Sequence, residues 1–74
     1  MIRIHGDFNH KDEAGRVRLD TPDAVRDIEM LGNQLREGER VLVHDVGGYE
    51  AECVLERVNK GWRARVISGT GRAW

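Results

Sequence analysis

Through residues 40 to 67, apolar side chains alternate with polar ones. The pattern is interrupted chiefly at Gly47-Gly48 and at Asn59-Lys60-Gly61. A period of two puts successive side chains on opposite faces of a pleated strand, and a glycine pair tolerates the positive φ of a tight hairpin. The segment therefore reads as a three-strand antiparallel meander. A two-residue turn at Gly47-Gly48 opposes Val46 with Tyr49, Asp45 with Glu50 and His44 with Ala51. In that reading Tyr49, Ala51, Cys53 and Leu55 face inward from the second strand, and Trp62, Ala64 and Val66 from the third. Arg63 and Arg65 face outward, as do Glu50, Glu52 and Glu56, while Val54 interrupts the polar face as at the bend of a small barrel.

The first half adds two short strands and a helix. Ile2 and Ile4 alternate with Arg3 and His5, and residues 16 to 19 repeat the pattern through Val17 and Leu19. The intervening loop, Gly6 to Gly15, carries one large apolar residue, Phe8, expected to fold inward as a plug. The two strands are expected to pair across this loop. Thr21 is a suitable N-cap, Pro22 fits the first helical position, where its missing N–H costs nothing, and Asp23 suits the positive end of the helix dipole. Ala24, Ile28 and Leu31 make an apolar stripe with Val25 at its flank. Arg26, Asp27 and Glu29 are expected on the wet side, and Gly32 stops the helix, which is placed at residues 22 to 31.

The expected fold is mainly β with one short helix, a small, partly open barrel in the order β-β-α-β-β-β. One domain spans residues 1–68, and residues 69–74, rich in glycine, are expected to fray as a flexible tail. A chain of 74 residues buries only about 60% of the surface it exposes when unfolded. Little volume is left for an enclosed substrate pocket, which argues against an independent enzyme. Nowhere do about 18 apolar residues run together as a membrane span requires. No secretory signal pattern opens the chain, and a lone cysteine cannot staple a domain, so a cytoplasmic location is expected.

The stretch Leu35-Arg36-Glu37-Gly38-Glu39-Arg40-Val41-Leu42-Val43 resembles the L-x-P-G-D-x-V-x-V lead-in to a strand of SH3-like and KOW-type small barrels, with Glu37 in place of Pro and Glu39 in place of Asp. Val54-Leu55 followed by Gly61-Trp62-Arg63-Ala64-Arg65-Val66 is similar to the second half of such barrels. A wider arrangement is similar to short uncharacterised bacterial proteins: Phe8-Asn9, then residues 15 to 19, Leu31-Gly32 and the lead-in from Leu35. The first resemblance implies an SH3-like barrel that binds peptides, nucleic acid or protein surfaces. The second implies a bacterial source and carries no activity. A fold of this kind does not settle function.

Chemistry-bearing residues are sparse. His5, His10, His44 and Cys53 are the candidates for a metal, but structural zinc sites favour close cysteine or histidine pairs, and only His5 and His10 approach that spacing. No metal or other cofactor is expected. Cys53 with His44 is the one conceivable nucleophile and base, diagonal across the hairpin in the register above, yet a core-facing thiol is usually inert. Neither phosphate-binding glycine motif occurs.

The small net charge of -1 hides an asymmetry. Residues 1 to 53 hold seven basic against twelve acidic residues, and residues 54 to 74 hold five against one. The expected function is a non-catalytic interaction module or accessory subunit that binds another protein. The alternative is an RNA- or single-stranded-DNA-binding barrel whose basic strands meet phosphates and whose Trp62 or Trp74 stacks on a base. Expected contact residues are Arg57, Lys60, Arg63, Arg65 and Phe8. Pairing of the arginines with Glu50, Glu52 or Glu56 is the competing reading of the same residues.

Overall fold

The structure is a computed structural model that describes residues 1–59 and 61–73; Lys60 and Trp74 lie outside the described residues. The elements are β1 (Arg3–His5), β2 (Val17–Arg18), α1 (Pro22–Leu31), a 3-10 turn (Gly32–Gln34), β3 (Arg40–Asp45), β4 (Tyr49–Val58), β5 (Gly61–Val66) and β6 (Arg72–Ala73). The fold is mainly β with one short helix, and its strands form one sheet curled into a half-barrel in the order β1-β3-β4-β5-β2. β6 joins β4 off this path.

The helix begins where the cap rules place it. Thr21 is extended at the N-cap, its side-chain oxygen accepts from the Ala24 N–H at 3.4 Å, and Pro22 opens the first turn. Ala24 is fully buried, with Ile28 and Leu31 packed against the same core. That core is built by Ile4, Val17, Val41, Val43, Cys53 and Leu55, each sealed from solvent on the concave side of the sheet. On β5, Ala64 is buried and Trp62 and Val66 pack inward, while Arg63 and Arg65 lie on the other face.

Two strand pairings differ from the sequence expectation. β1 and β2 do not pair with each other. β1 runs parallel to β3, with Ile4 opposite Val43 and His5 opposite His44, and β2 lies antiparallel to β5 at the far end of the sheet. The loop between them turns on itself instead. Asp12 accepts from the backbone N–H groups of Ala14 and Arg16 through Oδ1, and the Gly15 N–H donates to its carbonyl, so Lys11 bridges Val17 locally. The curl then brings the two ends of the sheet together at Gly6. A Cβ there would sit 2.6 Å from Val43 Cγ1, with Val17 and Leu19 close behind, so only glycine fits.

The β3–β4 hairpin is also one residue longer than expected. Asp45 opposes Tyr49 across a three-residue loop, which sets His44 opposite Glu50, Val43 opposite Ala51 and Val41 opposite Cys53. A two-residue type I′ turn needs positive φ at both central residues, whereas only Gly48 has it. Asp45 selects the longer loop, its carboxylate accepting from Gly47 N–H at 2.9 Å and its carbonyl from Gly48 N–H at 3.0 Å. A one-residue slip moves side chains to the opposite face. His44 therefore turns away from Cys53.

The glycine-rich C-terminal segment, expected to fray, lies on the sheet as far as it is described. Thr70 Oγ1 accepts from the Glu52 N–H at 3.0 Å, and β6 pairs Ala73 with Tyr49 and Arg72 with Glu50. Gly71 lies against the Tyr49 ring, where a Cβ would collide with the phenol oxygen.

Candidate functional site

Three groups of polar residues stand on this scaffold, and they differ in how far their charges are already committed. The first joins β2 to β4 and β5. Arg16 donates from Nε to Asp12 Oδ2 at 2.9 Å and from Nη1 to Glu56 Oε1 at 3.0 Å. Arg65 holds the other side of Glu56 at 2.6 and 3.2 Å, and Arg63 Nε lies 3.5 Å from Asp12. Hydrogen bonds from Arg65 and Arg16 hold the Glu56 carboxyl below its ordinary range against the opposing effect of burial. Burial raises the Asp12 pKa, but the Arg16 backbone N–H and guanidinium outweigh it, so Asp12 is also lowered.

This group contains two of the expected contact residues, Arg63 and Arg65, each paired with a carboxylate. Arg57 is exposed, its guanidinium carbon 4.8 Å from the centroid of Trp62, so the indole is covered by a cation rather than open to a base. Lys60 lies outside the described residues.

The second group stands at the opposite end of the sheet. Asp27, on the inner part of α1, accepts both the His5 backbone N–H at 2.8 Å and His5 Nδ1 at 2.7 Å on the same oxygen, Oδ2. The backbone N–H in question points outward from edge strand β1, so Asp27 closes an edge that would otherwise be open. The His44 ring lies beside that of His5, with centroids 4.1 Å apart and planes inclined at 53°. One ligand atom from each of His5, Asp27 and His44 lies within 4.8 Å of the other two. Burial raises the Asp27 pKa, yet the two bonds from His5 and the nearby imidazoles hold it below the ordinary range. Burial lowers His44, with further contributions from His5 and Arg3. Across the hairpin, Glu50 is only 5% exposed and takes Arg72 Nε at 2.7 Å, with Arg3 at 3.8 Å.

Of the sequence candidates, the structure brings together His5 and His44. It separates the other two. His10 pairs with Asp20 at 2.7 Å, and Cys53 is sealed in the core, its thiol pushed up to about 12 by burial. A thiol so placed is neither exposed nor ionised, and its supposed base faces the other side of the sheet, so the Cys53–His44 pair does not form. Asp27 was not among the candidates. It falls at i+3 in the stripe Ala24, Ile28, Leu31, which points it at β1 rather than at solvent. A carboxylate inside an apolar stripe was the available signal.

The third group is a cleft of about 370 Å³ between the start of α1, the loop after β1 and the β3–β4 hairpin. Its lining includes His5, Asp7, Thr21, Asp23, Asp45 and Val46. Val46 in this lining is 81% exposed, and Tyr49, opposite Asp45 at the base of the same hairpin loop, is 42% exposed. Phe8, half-buried, meets the Tyr49 ring edge-on at 5.0 Å, and its N–H donates to Asp45 Oδ2 at 3.2 Å. The polar loop and the hairpin turn therefore form one surface, remote in the sheet order from Arg63 and Arg65. In comparison with known proteins, the chain matches no family model, no curated protein and no solved structure.

Proposed function

We propose that this chain is a non-catalytic, SH3-like interaction module that binds another protein through the rim of the acidic cleft. The observation that carries this reading is the exposed Val46–Tyr49 pair, braced by Phe8, beside a cleft that presents Asp7, Asp23 and Asp45. Apolar side chains next to anionic ones complement a segment in which a Lys or Arg neighbours an apolar residue. The backbone of the rim is held by Asp45, which ties the hairpin and the Phe8 loop together, so little ordering is needed on binding. A single buried thiol fits a reducing compartment, and we place the module in the cytoplasm.

A second reading retains one observation in its favour. Arg18 and Arg63 are directly opposed across β2 and β5, and the Nε of each is buried with no hydrogen-bond partner among the described residues. A nucleic-acid phosphate would meet the half-exposed Arg18 and Arg65 and the exposed Arg57, and Lys60 would extend the contact.

One experiment separates the two. Capture from a nuclease-treated bacterial lysate at physiological salt is compared for the wild type, Val46→Asp, and Arg63→Gln with Arg65→Gln. The protein-binding reading predicts partners that are lost with Val46→Asp and kept with the arginine changes. Partners insensitive to Val46→Asp would overturn it. Retention on single-stranded DNA that falls steeply with salt and requires Arg63 and Arg65 would establish the second reading instead.

A further inference from the structure

We propose that His5, Asp27 and His44 bind one divalent transition-metal ion, held by two imidazole nitrogens and one carboxylate oxygen. The three residues come from β1, α1 and β3, and the parallel pairing that places His5 opposite His44 is what brings both rings to the end of the helix stripe occupied by Asp27. An edge-closing role accounts for Asp27 and the His5 backbone N–H. The His44 ring adds a second imidazole at the same spot, its centroid 4.1 Å from that of His5.

The proton arrangement suits an ion. An ionised carboxylate can only accept, so a proton lies on His5 Nδ1 in its 2.7 Å contact with Asp27 Oδ2. A divalent ion would displace that proton and sit between the imidazole nitrogen and the carboxylate, because metal ligands bind deprotonated. Asp27 Oδ2 is then the ligand oxygen, and it keeps the His5 backbone N–H as its second partner. Arg3, on the same strand as His5, is drawn to Glu50 at 3.8 Å.

Donor chemistry narrows the ion. Two imidazoles and a single carboxylate suit zinc, nickel, cobalt or copper rather than magnesium or calcium, which prefer an all-oxygen shell. Bonds of about 2.0–2.1 Å place tetrahedral ligand atoms about 3.3 Å apart, so the present separations of up to 4.8 Å must contract. Rotation of two partly exposed rings supplies that movement. His5 also lines the acidic cleft, so a fourth position on that side is open to water or to a side chain of a bound protein.

The site is tested by titrating metal-stripped protein with Zn²⁺ by calorimetry and with Co²⁺ by visible absorption at neutral pH. The expected result is one equivalent bound, with a cobalt ligand-field spectrum. His5→Gln and His44→Gln should each weaken binding by roughly tenfold or more, whereas His10→Gln should leave it unchanged. Far-ultraviolet circular dichroism verifies that the variants fold, and the wild-type cobalt spectrum reads the site without any variant. No saturable binding, or binding that survives His44→Gln, or equal weakening by His10→Gln, would overturn the proposal.

Discussion

The two ends of the sheet both carry clusters of charge, yet they resolve those charges in opposite ways. At the β2–β5 end, Asp12 and Glu56 each meet guanidinium groups. Arg16 bridges Asp12 and Glu56, and Arg65 closes the other side of Glu56. At the β1–β3 end, one carboxylate oxygen is used twice by His5, and a second imidazole stands beside the first. The first arrangement locks a short strand onto its neighbour and is complete in itself. The second gathers one ligand atom from each of His5, Asp27 and His44 within 4.8 Å of the others. Basic composition alone is thus a poor guide to a binding face, because its value depends on what already neutralises it.

The comparison breaks most severely if the shared core beneath it is opened. Ile4 is fully buried between Arg3 and His5 on β1 and packs on the core that both ends share. Ile4→Ala should cost about 2–5 kcal/mol, read as a lower denaturation midpoint with a single cooperative transition. Loss of structure around His5 alone would mean that the two ends fold independently.

Asp27 gives the next largest effect. Asp27→Ala leaves the His5 backbone N–H without its acceptor and should cost about 1–3 kcal/mol. Asp27→Asn keeps an acceptor oxygen and should be distinctly more stable than Asp27→Ala, while losing the charge an ion needs. Chemical denaturation of both variants reads the difference. Equal losses would show that charge, not closure of the strand edge, is what Asp27 contributes to folding.

An acid titration of metal-free protein separates the ends more finely. His44 titrates below its ordinary value of 6.5 when folded, so the unfolded chain takes up that proton first. Its contribution to stability is complete above about pH 6.5 and is lost as pH falls through the lowered folded value. Asp12 and Glu56 are likewise depressed from 3.8 and 4.5, so their contribution is present above those values and lost further into acid. The expected profile is a shallow decline beginning in mildly acidic buffer, followed by a steeper one. His44→Gln should abolish the first phase alone, and Arg16→Gln should flatten the second. The smallest effect is expected from Arg65→Gln, because that pair is half-exposed and Arg16 retains Glu56. A large fall in thermal midpoint for Arg65→Gln would show that the arginine cluster is more cooperative than its exposure implies.

Local signals are legible in the sequence because local chemistry determines them. The Thr21 cap and Pro22 fix the start of α1 within the chain itself, and alternation fixes the buried faces of β5 and of β4 from Ala51 on. At the start of β4, Glu50, expected outward, is buried against Arg72, and Tyr49, expected inward, is exposed. The hairpin register was not legible from the glycine pair, which suits a two-residue or a three-residue loop. The Asp45 side chain decides between them by taking the Gly47 N–H. Pairing of β1 with β3 and of β2 with β5 joins residues far apart in the chain, and short alternating segments carry no label for their partner. The His5 and His44 members of the candidate site could be named from composition, but their meeting depends on that parallel pairing. Asp27 was hidden because polar residues on a short helix are ordinarily assigned to solvent, although its position three residues after Ala24 lies on the buried stripe.

The central claim is that the histidine end of the sheet binds a ligand while the arginine end serves the fold. Its most direct test is a histidine-ring nitrogen NMR spectrum of the wild-type protein titrated with Zn²⁺. The account predicts that the His5 and His44 ring signals move together and saturate at one equivalent, while those of His10, paired with Asp20, stay in place. Static His5 and His44 signals, or all three histidines moving alike, would contradict it.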